Sequence, residues 1–227
     1  MITEGMRNKI KRVEELKVVN TNKTRYRFDP KTNTLYIPIS ETDFRGMFSY
    51  CYHLKKIDLN VNNEIEAAYS MFSGCDNLSE IIFTKKLNLQ KANNLYALFY
   101  NCKVLYRLDL SNILFATNLY NIASMFSHCI SLKEVNFGDN FYSENIEVIN
   151  SVFNRCYNLE TINWQKCQPF NNLIYMKNAF TDCYSLNSVD LRGVDFGKIE
   201  PKYLENAFYG TRAELKVFVN STFRKFA

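Results

Sequence analysis

Asp43-Phe44-Arg45-Gly46-Met47-Phe48-Ser49-Tyr50-Cys51-Tyr52-His53-Leu54-Lys55-Lys56-Ile57-Asp58-Leu59 is the stretch that decides the fold. Its first half places Phe44, Met47, Phe48 and Cys51 at i, i+3, i+4 and i+7, one stripe of a 3.6-residue helix. Its second half alternates Ile57, Asp58 and Leu59, the period of a short strand with one buried face. Neither half can bury its apolar side alone.

The pattern returns down the chain. Six of the seven cysteines, Cys51, Cys75, Cys102, Cys129, Cys156 and Cys183, follow one another at steps of 24, 27, 27, 27 and 27. Each has Phe three residues before it (Phe48, Phe72, Phe99, Phe126, Phe153, Phe180) and Leu three after it (Leu54, Leu78, Leu105, Leu132, Leu159, Leu186). A degenerate seventh copy carries Phe208, with Thr211 in place of Cys. Three columns moving together at one period define a repeat of about seven units. Such units bury their apolar faces only by stacking.

The expected fold is therefore an α/β solenoid of helix–strand repeats, each about 27 residues long. Its strands form a parallel sheet at about 4.8 Å spacing. Its helices form the other wall at roughly 8–10 Å. That mismatch predicts a curved stack with the sheet on the concave side. The Phe column is the expected core anchor, with about 3–5 kcal/mol lost on removing one ring. The polar segments between units, such as Asn60–Glu64 and Ser111–Asn121, absorb changes of length, which cost little.

The ends depart from the repeat, giving an N-terminal cap (1–42), a solenoid (43–212) and a C-terminal cap (213–227). Residues 4–17 read as an amphipathic helix with Ile10, Val13 and Leu16 on one face. Tyr26–Phe28 and Leu35–Ile37 alternate around Asp29-Pro30-Lys31-Thr32-Asn33, which predicts a hairpin. Leu215–Val219 reads as a last strand, and Ser221 caps an expected short helix over Thr222–Phe226.

At this point the residues resemble a known family. The quoted run looks like the BspA-type leucine-rich repeat in its Met-Phe-x-x-Cys form, and Ser124-Met125-Phe126-Ser127-His128-Cys129-Ile130-Ser131-Leu132 carries the same signature. The resemblance covers roughly residues 43–219. It implies bacterial or protist surface and adhesion proteins or secreted interaction modules. Members usually carry an export signal. The first residues, Met1 to Lys11, hold no apolar stretch of that kind, which makes a cytoplasmic location the default expectation, and the cell surface or secretion the alternative if the resemblance holds and a targeting segment lies outside this sequence. No apolar run reaches the length of a membrane span.

Chemistry is scarce in this sequence. Cysteines 24 to 27 residues apart lack metal-ligand spacing. On stacked helices they would also lie beyond the ~7 Å limit for a disulfide. They read as reduced core residues, while Cys167, outside the column, is the expected exposed thiol. His53 and His128 are the only two histidines and fall in distant units, so a Cys or Ser nucleophile lacks its usual base. Phosphate-loop, nucleophile-elbow and zinc-protease motifs are missing. The chain is read as non-enzymatic, with no catalytic residue, metal or cofactor. Asp58 and Asp109, two repeats apart and so roughly 10 Å by strand spacing, read as a solvated face rather than an acid–base pair.

The net charge of +5 is mild. The densest basic run, Arg7–Arg12, is interleaved with Glu4, Glu14 and Glu15 and reads as a solvated helix face. What remains is the outward strand column, Asp58, Ile82, Asp109, Asn136, Asn163 and Asp190, with mixed-charge flanks. This surface suits a protein partner. It lacks the stacking platform expected for single-stranded nucleic acid. The candidate contact residues are Asp58, Arg107, Asp109, Glu134, Asn136, Asn163, Asp190 and Arg192. A second candidate is the tyrosine set Tyr50, Tyr52, Tyr100, Tyr157 and Tyr184. The leading expectation is a monomeric protein-binding scaffold. An adhesin domain and a subunit of a larger assembly are the alternatives.

Overall fold

The structure, a computed structural model, describes residues 2–164 and 170–219. Its one α-helix among those residues is α1 (Glu4–Ile10), begun by Thr3, whose hydroxyl accepts the Met6 N–H at 3.3 Å. The helix expected over 4–17 stops short. The chain turns instead into strand β1 (Glu15–Thr21), which buries Leu16 and Val18. The apolar spacing of Leu16 and Val18 is two, not three or four, and that period takes over after Ile10.

Next come β2 (Arg27–Asp29) and β3 (Thr34–Pro38), an antiparallel hairpin turning through Asn33 at φ 47°. β1 lies between β3 and β4 (Lys56–Asn60), parallel to both, and β5 (Glu80–Phe83) completes the sheet. Asn63, 1 % exposed, ties the hairpin to the first repeat. Its amide donates to the carbonyls of Pro38 and Glu41 at 2.9 and 2.8 Å, and its Oδ1 accepts from Asn20 at 2.6 Å.

The face continues through a second parallel sheet, β7 (Arg107–Asp109), β9 (Glu134–Asn136) and β10 (Thr161–Asn163). It ends in the pair β11 (Ser188–Asp190) and β12 (Lys216–Phe218). A separate parallel pair, β6 (Leu87–Leu89) and β8 (Ile113–Phe115), forms part of the return wall. Two short 3-10 turns, Phe196–Lys198 and Pro201–Tyr203, precede the degenerate repeat. The helix expected over Thr222–Phe226 lies outside the described residues.

The largest departure from expectation is the Phe-x-x-Cys segment. It is a ribbon of tight turns, not a helix. In the fourth repeat, Met125, Ser127 and Cys129 donate their N–H groups three residues back, to Ile122, Ser124 and Phe126, at 3.0–3.1 Å. The alternate N–H groups of Ile122, Ser124, Phe126 and His128 point the other way, to the carbonyls of Val148, Asn150, Val152 and Asn154 in the next repeat, at 2.7–3.0 Å. With the Ala123 N–H donating to Asn121 Oδ1 at 2.8 Å, every backbone donor of 122–129 is used, three within the turns and four between repeats.

Turns of this kind need positive φ at the third residue. Ser124 and His128 supply it at 55° and 64°. The same two positions are left-handed in every copy, from Gly46 and Tyr50 to Asn206 and Gly210. Ile122, Met125, Phe126 and Cys129 nevertheless all face the core at 0 % exposure. The i, i+3, i+4, i+7 pattern is satisfied by a turn ribbon as well as by a helix, so periodicity alone could not separate them.

Both walls are thus spaced by backbone hydrogen bonds. The Phe column records this spacing. Rings from Phe48 to Phe208 stack face to face, with successive centroids 5.1–6.0 Å apart and planes within 17°. The width mismatch from which an arc was expected is absent, because no helix sets the spacing of the second wall. The same correction applies to the cysteines. From Cys75 on, each column thiol reaches the Phe carbonyl of the preceding repeat at 3.0–3.4 Å, so successive units are a ladder step apart and not a helix diameter. The core they join runs without a break from Ile2 to Ala207.

Candidate partner-binding face

The outward strand column is assembled residue by residue. In the central sheet, Asp109, Asn136 and Asn163 stand directly opposite one another, as do Arg107, Glu134 and Thr161. Between these rows, Leu108, Val135 and Ile162 point inward and are buried. Alternation along each strand leaves only the polar residues facing out.

These side chains bond across strands. Asn163 Nδ2 donates to Asn136 Oδ1 at 3.0 Å, and Asn136 Nδ2 donates to Asp109 Oδ1 at 3.0 Å. The chain of amides ends on a carboxylate, which also accepts the Ser111 N–H at 3.0 Å. Arg107 lies 3.6 Å from Glu134, and both are exposed. Beside them Tyr106 is covered by Lys133 Nζ at 5.5 Å and by Arg107 at 5.8 Å. A recess of about 270 Å³ opens at the ends of these strands, lined by Ser111, Asn136, Gly138, Asp139, Asn140 and Asn163. Gly138 is required there: its φ is 70°, and an added Cβ would meet Ser111 Cα at 2.6 Å.

The remaining candidates flank this centre. Asp58, on β4, accepts the Thr84 hydroxyl and belongs to the sheet that ends at β5. Asp190, on β11, is gripped by Arg192, whose Nε donates at 2.9 Å and whose backbone N–H donates at 3.0 Å. That guanidinium holds the Asp190 carboxyl below the usual carboxylate range, against the opposing pull of partial burial. The structure therefore brings Arg107, Asp109, Glu134, Asn136 and Asn163 into one patch. Asp58 lies to one side of it and the Asp190–Arg192 pair to the other.

Some residues of the face were not foreseen. Lys17 stands opposite Asp58 because β1 extends the sheet; Thr34, opposite Lys17 on β3, is buried and closes the face on that side. Reading 4–17 as helix hid Lys17. At the far end Phe218 stands opposite Asp190, exposed at 46 %.

The tyrosine set does not form one site. Tyr157 and Tyr184 stack at 5.3 Å, Tyr50 and Tyr52 meet at 5.9 Å, and Tyr100 lies against His128 at 5.4 Å. These are separate pairs along the turn ribbons. His128 Nδ1 shares a hydrogen bond with Ser127 Oγ at 2.9 Å, and Arg155 faces its Nε2 at 3.4 Å. Burial, then the charges of Arg155 and Lys103, hold the His128 imidazole below its usual range. Cys167 lies outside the described residues. Among the described residues, no group of three or more His, Cys, Asp or Glu could hold a metal ion, and no helix is long and apolar enough to cross a membrane.

A short strand, a polar outward column and a tight-turn return, repeated every 27 residues around one core, define a leucine-rich-repeat solenoid scaffold. The chain belongs to the BspA-type leucine-rich repeat family, whose model matches it in 6 copies over residues 31–106 and 98–226. No curated protein matches the chain. Among solved structures it is similar to the crystal structure of a leucine-rich repeat protein of T. pallidum. The two share 17 % identity over 83 % of this chain and 94 % of that one, with a TM-score of 0.43. Membership suggests an interaction or adhesion scaffold, and families of this kind are generally non-enzymatic.

Proposed function

We propose that this chain is a protein-binding scaffold whose contact surface is the sheet face, centred on Arg107, Asp109, Glu134, Asn136 and Asn163 and flanked by Asp58, Asp190 and Arg192. One observation carries the reading. The inward positions of the three central strands are the interchangeable apolar residues Leu108, Val135 and Ile162. The outward ones form a specific ladder, amide to amide to carboxylate, with one polarity.

A ladder of this kind presents further amide protons and lone pairs at strand spacing, about 4.8 Å apart. A protein partner can read that spacing with its own polar groups, and the mixed charges of Arg107 and Glu134 orient it. The division into a cap (1–42), a solenoid (43–212) and a closing segment (213–227) fits this use, since the centre of the face lies within the solenoid and the two end segments extend it through Lys17 and Phe218.

The test is partner capture from the source cell by the wild-type chain and by a triple variant, Asp109→Ala, Asn136→Ala and Asn163→Ala. The three residues are surface groups, so the variant keeps its fold, as checked by its melting temperature. Loss of the captured protein supports the face as the site. Capture undiminished by the triple variant contradicts it.

A further inference from the structure

Five of the six column cysteines share one environment. The thiols of Cys75, Cys102, Cys129, Cys156 and Cys183 donate to the backbone carbonyls of Phe48, Phe72, Phe99, Phe126 and Phe153, one repeat earlier, at 3.0–3.4 Å. From Cys102 onward each thiol is thereby committed to a carbonyl, whereas Cys75 shares its one proton between Phe48 O and the Cys51 sulfur. Cys51 heads the column, and no repeat precedes it. The place of the missing repeat is taken by α1, whose Arg7 reaches Gly46 O at 3.2 Å and whose Ile10 is buried. Cys51 is 1 % exposed, and the partner that the other five thiols use, the Phe carbonyl of a preceding repeat, is not there for its sulfur. Its neighbours are the Cys75 thiol and the charges of Lys11 and Arg7.

The ribbon ladder sets the distance between the two cysteines. Tyr50 N–H bonds Ser73 O at 2.8 Å, one residue before Cys51, and the Phe48 and Phe72 rings stack at 5.6 Å, three residues before each cysteine. Backbones joined in this way run about 4.8 Å apart. That falls within the Cα separation of roughly 4.4–6.8 Å that a disulfide accepts.

We propose that Cys51 and Cys75 are an oxidisable dithiol, covered by α1, that exchanges with low-molecular-weight disulfides of the oxidised-glutathione class. The Cys51 thiolate attacks one sulfur of the oxidant, whose S–S bond breaks. The first small thiol leaves and takes up the proton that Cys51 released. Cys75 then gives up its proton and attacks the Cys51 sulfur, and the second small thiol leaves with that proton. Two protein thiols become one disulfide, and one small disulfide becomes two thiols.

Electrostatics favour this order. The hydrogen bond from Cys75, then the charges of Lys11 and Arg7, pull the Cys51 thiol below its usual range against the effect of burial. Burial pushes Cys129 and Cys183 up to about 12 and raises Cys102 and Cys156 well above the ordinary value. The thiolate is the attacking species, so the column reacts first at its N-terminal end. Access requires α1 to lift. A helix of seven residues is too short to be stable without its packing, so α1 is an element of low expected local stability.

The experiment uses the full chain carrying Cys167→Ser, which removes the thiol outside the column. It is exposed to oxidised glutathione, quenched in acid, alkylated and mapped without reduction. The expected product is the Cys51–Cys75 cross-link, formed about tenfold faster than any other column pair. Adding Ile10→Ala, which loosens α1, should speed it further. Adding Cys51→Ser should suppress column oxidation, whereas Cys129→Ser should leave the rate unchanged. Cross-links at Cys102–Cys129 or beyond that form as fast, or a column that stays reduced in the folded chain, would overturn the proposal. The mapping of the Cys167→Ser chain decides this even where a further variant fails to fold.

Discussion

Asn163 donates its side-chain N–H to Asn136 Oδ1 at 3.0 Å, one repeat earlier on the same face. Both side chains reach solvent, and Asn136 repeats the gesture toward Asp109. A solvent-facing hydrogen bond exchanges protein for water at little net gain, on the order of 0.5–1.5 kcal/mol. Asn163→Ala is therefore expected to lower stability by no more than about 1 kcal/mol in chemical denaturation. Partner capture should fall by a larger factor. A loss of several kcal/mol in stability would make the ladder a structural element and not a recognition one.

Ala97 gives a test of the turn ribbon whose sign is opposite to that of a helix. Its φ is 54°, and it is 5 % exposed. In a helix, Ala→Gly costs about 1 kcal/mol. At a left-handed position an L-residue carries a penalty of roughly 1–2 kcal/mol that glycine does not. Ala97→Gly should raise stability or leave it unchanged, measured by equilibrium denaturation. A drop of about 1 kcal/mol would restore the helical reading.

His128 links the ribbon to pH. Its imidazole is held below the ordinary value of 6.5 by burial and by Arg155 and Lys103, so the unfolded chain takes up the proton first. At pH above the unfolded value both states are neutral and stability is unaffected. As pH falls below that value toward the lowered folded one, proton uptake favours the unfolded chain and stability is lost. The melting temperature should therefore decline from pH 7 to 5. His128→Asn, which keeps a residue that tolerates left-handed φ, should flatten the decline. An equal slope in both proteins would remove His128 as its source.

The repeat itself was legible because its signal is redundant: Phe, Cys and Leu columns at one period leave a single stacking solution. The strands were legible for the same reason, since Val135 and Phe137 flank Asn136 and the alternation recurs in each unit. The ribbon was not, because Ile122, Met125, Phe126 and Cys129 satisfy a helical stripe while the distinguishing information lies in φ. Gly46, Gly74 and Gly210 marked the left-handed positions, but Ser124, Arg155 and Tyr50 occupy the same columns and carry no such mark. Asn63 was taken for a variable loop residue. It is a buried staple, and only the fold supplies the three carbonyls it bonds. The polar patch around Asn136 followed from alternation alone, whereas Lys17 needed the unforeseen strand β1 to join the face.

The most direct test of the face is its protection in a complex. Amide hydrogen exchange is measured on the chain alone and bound to its captured partner. Slowed exchange should concentrate in peptides spanning 107–112, 134–140 and 161–164, with the ribbon peptides 120–129 and 147–156 unchanged. Protection confined to the ribbons, with the strand peptides exchanging as in the free chain, would contradict the account.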